Sequence, residues 1–145
     1  MWKIIERLLT AEGPDKTTPR QKAGLWGERE AELHLKAKGY KILARRLRIG
    51  RRDEIDLLAR DEDALVFIEV KTRAGEDYGR PFSAVDRGKR HNLARAAVRY
   101  MNRLHPQPGS FRFDVVEVIG KQDNPNPVIR HIENAFPLPR HLRVP

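Results

Sequence analysis

The 145-residue sequence contains no cysteine. Disulfides and thiolate metal sites are thereby excluded, and the chain suits a reducing cytoplasm. Serine is scarce, with only Ser83 and Ser110, so a serine-hydrolase arrangement has little material to work with. Neither a nucleophile elbow nor a glycine-rich phosphate loop occurs. The histidines, His34, His91, His105, His131 and His141, show no paired helical spacing and have no cysteine companions, so no zinc site is expected. No apolar run approaches membrane-spanning length, and Trp2 to Leu9 is too short and too charged for a signal peptide. The expectation is a soluble cytoplasmic protein with no membrane partner.

What the chain has in excess is positive charge. Lysine and arginine outnumber aspartate and glutamate by 29 to 20, a formal net charge of +9. A polyanionic partner follows, with nucleic acid ahead of anionic lipid or ribosomal surfaces. The length suits one domain with a real core.

Residues 1–9 read as a short amphipathic helix. The Gly13-Pro14 and Thr17-Thr18-Pro19 interruptions then predict a flexible N-terminal segment over 1–22, with the compact domain over 23–136. A helix is expected from Leu25 to Lys38, closed by Gly39, with Leu25, Glu28, Glu32 and Leu35 on one stripe. Two carboxylates on such a stripe are costly to bury, so one of them should face a polar cleft. A basic edge strand over Tyr40 to Ile49 carries Arg45, Arg46 and Arg48, and Gly50-Arg51-Arg52 turns the chain. A helix from Arg87 to Leu104 has the stripe Leu93, Ala97, Tyr100 and Leu104. Strands follow at Phe111 to Ile119 and Val128 to Ile132, and 137–145 should be an extended basic, proline-containing tail. The pattern predicts an α/β fold, a mixed sheet flanked by helices.

The chemistry concentrates in one hairpin. Glu54-Ile55-Asp56-Leu57-Leu58 and Phe67-Ile68-Glu69-Val70-Lys71 flank the acidic turn Asp61-Glu62-Asp63-Ala64. With Glu62 and Asp63 at the tip, Asp56 stands opposite Glu69, and Glu54 opposite Lys71. Opposed side chains have β-carbons roughly 5 Å apart, where like charges destabilise the ladder unless something positive lies between them. A divalent cation would resolve the conflict. Taken alone, such a hairpin can also be a solvated sheet face with cross-strand ion pairs, and Glu28 and Glu32 an acidic helix face served by Arg29 and Lys36.

Further residues form a larger pattern: Gly24, Gly27, Glu28 and Ala31; Glu54 to Leu57; Val66 to Arg73; Tyr78-Gly79, Pro81, Ala84-Val85 and Lys89; Arg112-Phe113-Asp114; and Asn134-Ala135-Phe136. From about Ala23 to Phe136 the chain resembles the bacterial UPF0102 (YraN-like) family, which is similar to the PD-(D/E)XK nucleases, including archaeal Holliday-junction resolvases. The resemblance implies a restriction-endonuclease-like core and an endonuclease dependent on Mg²⁺ or Mn²⁺. It implies Asp56 and Glu69 as metal ligands, Lys71 as the lysine of the Glu-x-Lys motif, and Glu28 as an additional acidic residue. Phosphate contacts are expected from Arg45, Arg46, Arg48, Arg51, Arg52, Arg73, Lys89 and Arg90. DNA is expected ahead of RNA, with branched or damaged DNA as substrate, and a homodimer would supply two sites for two strands. The alternative is a nucleic-acid-binding module that keeps the nuclease fold without cutting. One departure stands out: the position before Glu54 is commonly glycine in the family and is Asp53 here, and aspartate reaches glycine's backbone angles less easily, so a turn altered there would change the angle at which the Asp56 strand enters.

Overall fold

The first helix begins where its capping chemistry allows. Thr18 Oγ1 accepts a hydrogen bond from the Gln21 N–H at 3.2 Å, and Gln21 Oε1 accepts one from the Thr18 N–H at 2.9 Å. This is a capping box with proline at the first helical position, where its missing N–H costs nothing. Helix α1 therefore spans Pro19–Ala37. Residues 19–22, expected in the flexible segment, are helical because Pro19 opens the helix instead of interrupting it. The computed structural model describes residues 16–75 and 87–142. The expected helix over 1–9 lies outside them.

Strands β1 (Lys41–Ile49), β2 (Asp53–Asp61) and β3 (Ala64–Arg73) follow, then α2 (Arg87–Met101), β4 (Ser110–Ile119) and β5 (Val128–Ile132). They form one mixed five-stranded sheet in the order β1-β2-β3-β4-β5. All neighbours are antiparallel except β3 and β4, which run parallel. A parallel pair needs a crossover, and α2 lies within it. Helix α2 ends at Met101, short of the expected Leu104, because hydrogen bonds from Arg103 N–H to Tyr100 and from Leu104 N–H to Met101 tighten the chain into turns.

The sheet separates two cores. Against α1 pack Leu57, Ala59, Val66, Ile68, Val116 and Val118, with Trp26, Ala31 and Leu35 from the helix. The buried helix stripe is thus Trp26-Gly27-Ala31-Leu35. The expected stripe was rotated toward β1, and its Glu28 and Glu32 lie on the flank. Against α2 pack Ile55, Leu58, Phe67, Phe113 and Val115, with Leu93, Ala97 and Tyr100 from the helix. Phe136 stacks on Phe113 at 5.0 Å, and the Ala135 N–H bonds the Phe113 carbonyl at 2.7 Å. In the described part of the tail, Leu138 and Leu142 rest on this core.

Asp114 is buried and structural. Burial opposes its charge, but hydrogen bonds with His131 and from Arg112 and the Asn134 N–H outweigh it and hold the carboxyl below its ordinary range. Among the described residues, no helix is long and apolar enough to cross a membrane.

Candidate metal centre

The β2–β3 hairpin has the register expected from its turn, from Asp61 opposite Ala64 to Leu57 opposite Ile68. Regular pairing stops there, one position before Asp56 and Glu69. In its place, Asp56 Oδ2 accepts a hydrogen bond from the Val70 N–H at 2.9 Å. On the other side, β1–β2 pairing steps from Arg45 opposite Leu57 to Leu47 opposite Ile55, skipping Arg46 and Asp56. Arg46 takes φ 47°, uncommon for a residue other than glycine. The alternation slips accordingly, since Leu57 joins the α1-side core while Ile55 and Leu58 join the α2-side core. Asp56 sits at this distortion, where clefts from both faces of the sheet meet.

Helix α1 reaches the site through a close contact. A β-carbon on Gly27 would collide with Thr72 Oγ1 on β3, so the missing side chain lets the helix lie on the strand and sets Glu28 over its end. Carboxylate oxygens of Glu28, Glu54 and Asp56 lie within 4.8 Å of one another. Glu69 stands beside Asp56 from β3, close enough that a proton on Glu69 would be shared with the Asp56 carboxylate. Four carboxylates thus converge.

Their protonation reflects the crowding. Burial, then the Asp56 charge, pushes Glu28 up to about 7, although Arg46 opposes the shift. Burial and the Asp56 charge push Glu69 up to about 8, against the pull of Lys89 and Lys71. Burial raises Asp56 also, partly offset by the Val70 N–H. Arg46 Nε donates a long hydrogen bond to Glu28 Oε1 at 3.5 Å, lies 3.1 Å from Glu28 Oε2 without hydrogen-bond alignment, and 3.9 Å from Glu54. Burial lowers the Lys71 ammonium, and Lys89, Arg73 and Arg20 add to the effect.

A cleft of about 400 Å³ opens at these strand ends, lined by Arg20, Glu28, Asp56, Glu69, Lys71 and Lys89 among others. Its carboxylate donors suit a hard cation such as Mg²⁺ or Mn²⁺. The cluster that could hold one comprises Glu28, Glu54 and Asp56, with Glu69 beside Asp56. Glu54 was not singled out in the sequence, where it was set opposite Lys71. Its signal was the Glu-x-Asp spacing, which puts two carboxylates on one side of a regular strand.

The expected basic residues divide into groups. Arg45 pairs with Glu32 at 2.5 Å, Arg46 with Glu28, and Arg48 lies 3.9 Å from Glu54. The partners of Glu28 and Glu32 thus come from β1, not from Arg29 or Lys36 on their own helix. Arg73 stands 3.6 Å from the buried Glu117, and Arg90 lies over the Phe136 ring. Lys89 faces Glu69, while Arg51 and Arg52 are exposed on the β1–β2 turn. Tyr78, Gly79, Pro81, Ala84 and Val85 lie outside the described residues.

Asp53 does not take a backbone conformation that requires glycine. It lies within β2, its φ is not positive, and Gly50 with φ 70° takes the left-handed position. Asp53 is buried and held at both oxygens by Arg95 of α2, at 2.6 and 2.8 Å. Those hydrogen bonds hold its carboxyl below the ordinary range against the cost of burial.

Fold and site define an α/β protein whose sheet opens at one end around clustered carboxylates. The chain belongs to the uncharacterised protein family UPF0102, whose model matches residues 27–118. It is 47% identical over 116 residues to the UPF0102 protein of Symbiobacterium thermophilum, covering 80% of this chain and 97% of that protein. Identity is 41% over 118 residues with the Clostridium acetobutylicum UPF0102 protein, covering 80% and 94%. With that of Chlorobaculum tepidum it is 44% over 117 residues, covering 78% and 90%.

Proposed function

We propose that this protein is a metal-dependent endonuclease with a restriction-endonuclease-like (PD-(D/E)XK) core, hydrolysing phosphodiester bonds of DNA, branched DNA included. The observation that carries the reading is the convergence of Glu28, Glu54, Asp56 and Glu69 where regular pairing of β2 with both neighbours is interrupted. Crowded, half-buried carboxylates with raised pKa values are unfavourable unless a cation joins them or protons neutralise them. The oxygen-rich cluster and its cleft fit Mg²⁺ or Mn²⁺.

Asp56, Glu54 and Glu28 would hold the cation, and Glu69 would join them on losing its proton. A bound divalent ion supplies Lewis-acid activation of water and neutralises charge developing on the phosphate. Lys71 lines the same cleft, and its burial-depressed ammonium would be favoured by an arriving phosphate and would stabilise the charge building there. Arg20 and Lys89 at the cleft walls would position the strand without reading sequence.

The test is incubation of linear, single-stranded, flap and four-way-junction DNA with Mg²⁺ or Mn²⁺. Wild-type protein should cleave at least one of these, while Asp56→Asn and Lys71→Ala should lose cleavage and retain salt-sensitive binding. Equal cleavage by all three proteins would sink the assignment.

A further inference from the structure

The turn between β1 and β2 meets the middle of α2 in a separate cleft of about 450 Å³, lined by Gly50, Arg51, Arg52, Asp53, Arg95 and Arg99. Its one acid is already committed, because both Asp53 oxygens accept hydrogen bonds from Arg95. Among the described residues, no hydrogen bond or ion pair engages the guanidinium groups of Arg51, Arg52 or Arg99, and all three residues are exposed. Four guanidinium groups therefore face one cleft whose single acid among its lining residues is Asp53, hydrogen-bonded to Arg95 and only electrostatically felt by Arg99 and Arg52.

The cleft is also preformed. An added β-carbon on Gly50 would lie 2.7 Å from Arg99 Nη1, so the glycine provides the room in which that guanidinium rests against the turn. Arg95 ties the same turn to α2 through Asp53, fixing the spacing between the arginines of the two elements. Guanidinium groups suit phosphate because their fixed donors match its oxygens. A second cleft links this place to the acidic centre, since Arg52 and Asp53 line it together with Asp56 and Glu69.

We propose that Arg51, Arg52 and Arg99 form a binding site for a backbone phosphate of nucleic acid, on the α2 side of the acidic centre. The inference rests on the nucleic-acid reading above but not on cleavage. Binding there would be independent of base sequence and would anchor the strand that continues toward Asp56.

The experiment is fluorescence anisotropy of a labelled DNA duplex against the full-length protein over a salt titration in EDTA. Wild type is compared with Arg51→Gln/Arg99→Gln and with Lys36→Gln/Lys41→Gln, which removes the same charge from exposed residues in the last turn of α1 and at the start of β1. The arginine pair should weaken binding and lower the slope of log affinity against log salt by about two, roughly one for each lost phosphate contact. The lysine pair should leave the slope near wild type. Circular dichroism melting confirms that both variants fold. An unchanged slope in the arginine variant, an equal loss in the lysine variant, or no binding by wild type would overturn the site. Without divalent metal, this readout is independent of whether Asp56 supports cleavage.

Discussion

Asp56 takes the backbone N–H of Val70 with its side chain, at 2.9 Å, beyond the last regular rung of the β2–β3 ladder. The strands can separate there without leaving that donor unpaired, since the carboxylate replaces a missing backbone acceptor. The bond favours the charged form of Asp56, yet burial is the larger effect and raises its pKa. The same contact that opens the sheet thus fixes the carboxylate at the mouth of the cleft. Asparagine keeps an oxygen that can accept the Val70 N–H while removing the charge, so Asp56→Asn isolates the chemistry from the fold.

The raised carboxyls make stability depend on pH in a defined sense. Glu28 and Glu69 titrate in the folded protein at about 7 and about 8, against an ordinary value of 4.5. Between those limits the folded state holds more protons than the unfolded chain, so stability falls as pH rises and levels off above about 8. The depressed carboxyls of Asp53 and Asp114 act oppositely, and their contribution is lost as pH falls below their ordinary 3.8. Maximum stability should therefore lie on the acid side of neutrality. Thermal midpoints in EDTA should fall by a few degrees from mildly acid to mildly alkaline buffer, a loss on the order of 2 kcal/mol. Glu69→Gln should flatten the curve. Manganese should raise the midpoint more at alkaline than at acid pH, and chelation should reverse the gain. A midpoint that climbs steadily with pH in EDTA would contradict the carboxylate assignments.

Asp53 and Arg95 should behave as a coupled pair. Arg95→Ala leaves a buried carboxylate without its two hydrogen bonds, while Asp53→Ala leaves a guanidinium that still reaches solvent, its side chain 30% exposed. The first change should cost more, about 3 kcal/mol against about 1.5 kcal/mol in urea denaturation. The double variant should be less destabilised than the sum of the single losses, with a coupling of about 1 kcal/mol or more. Additive losses would show that the contact contributes little.

Much of this arrangement was legible in the residues, and the reasons differ by element. The hairpin register followed from placing Glu62 and Asp63 at a two-residue tip; the apolar runs Leu57 to Ala59 and Leu65 to Ile68, buried on both faces, do not select it by themselves. Val128 to Ile132 and the faces of β4 followed from a period of two. The start of α1 was hidden because Pro19 signals both a break and a first helical residue, and the capping bonds of Thr18 and Gln21 decide between them. The distortion at Arg46 and Asp56 was not legible. Strict alternation cannot anticipate a slip, nor that β2–β3 pairing would end before the expected Glu54–Lys71 contact. The arginine pairings with Glu28 and Glu32 were likewise tertiary, joining a helix to a strand that spacing along the helix cannot reveal.

The contact of Gly27 with Thr72 yields the last prediction. In an exposed helix, Gly→Ala gains about 1 kcal/mol from propensity. Here the new methyl would overlap Thr72 Oγ1 and crowd its Cβ, at 3.0 Å, and its Cγ2, at 3.1 Å, in a buried interface. Overpacking of this kind costs about 1–3 kcal/mol, so Gly27→Ala should be net destabilising despite its better propensity. Thr72→Ala removes Oγ1 and Cγ2 and should recover part of the loss in the double variant, though the remaining Cβ keeps the fit tight. Because Glu28 follows Gly27 directly, a helix pushed from β3 also carries its carboxylate away from Asp56. Gly27→Ala should therefore lose part of the manganese-dependent rise in thermal midpoint at alkaline pH, and Thr72→Ala should restore it together with stability. A full manganese response in a destabilised Gly27→Ala would mean that Glu28 takes no part in holding the cation.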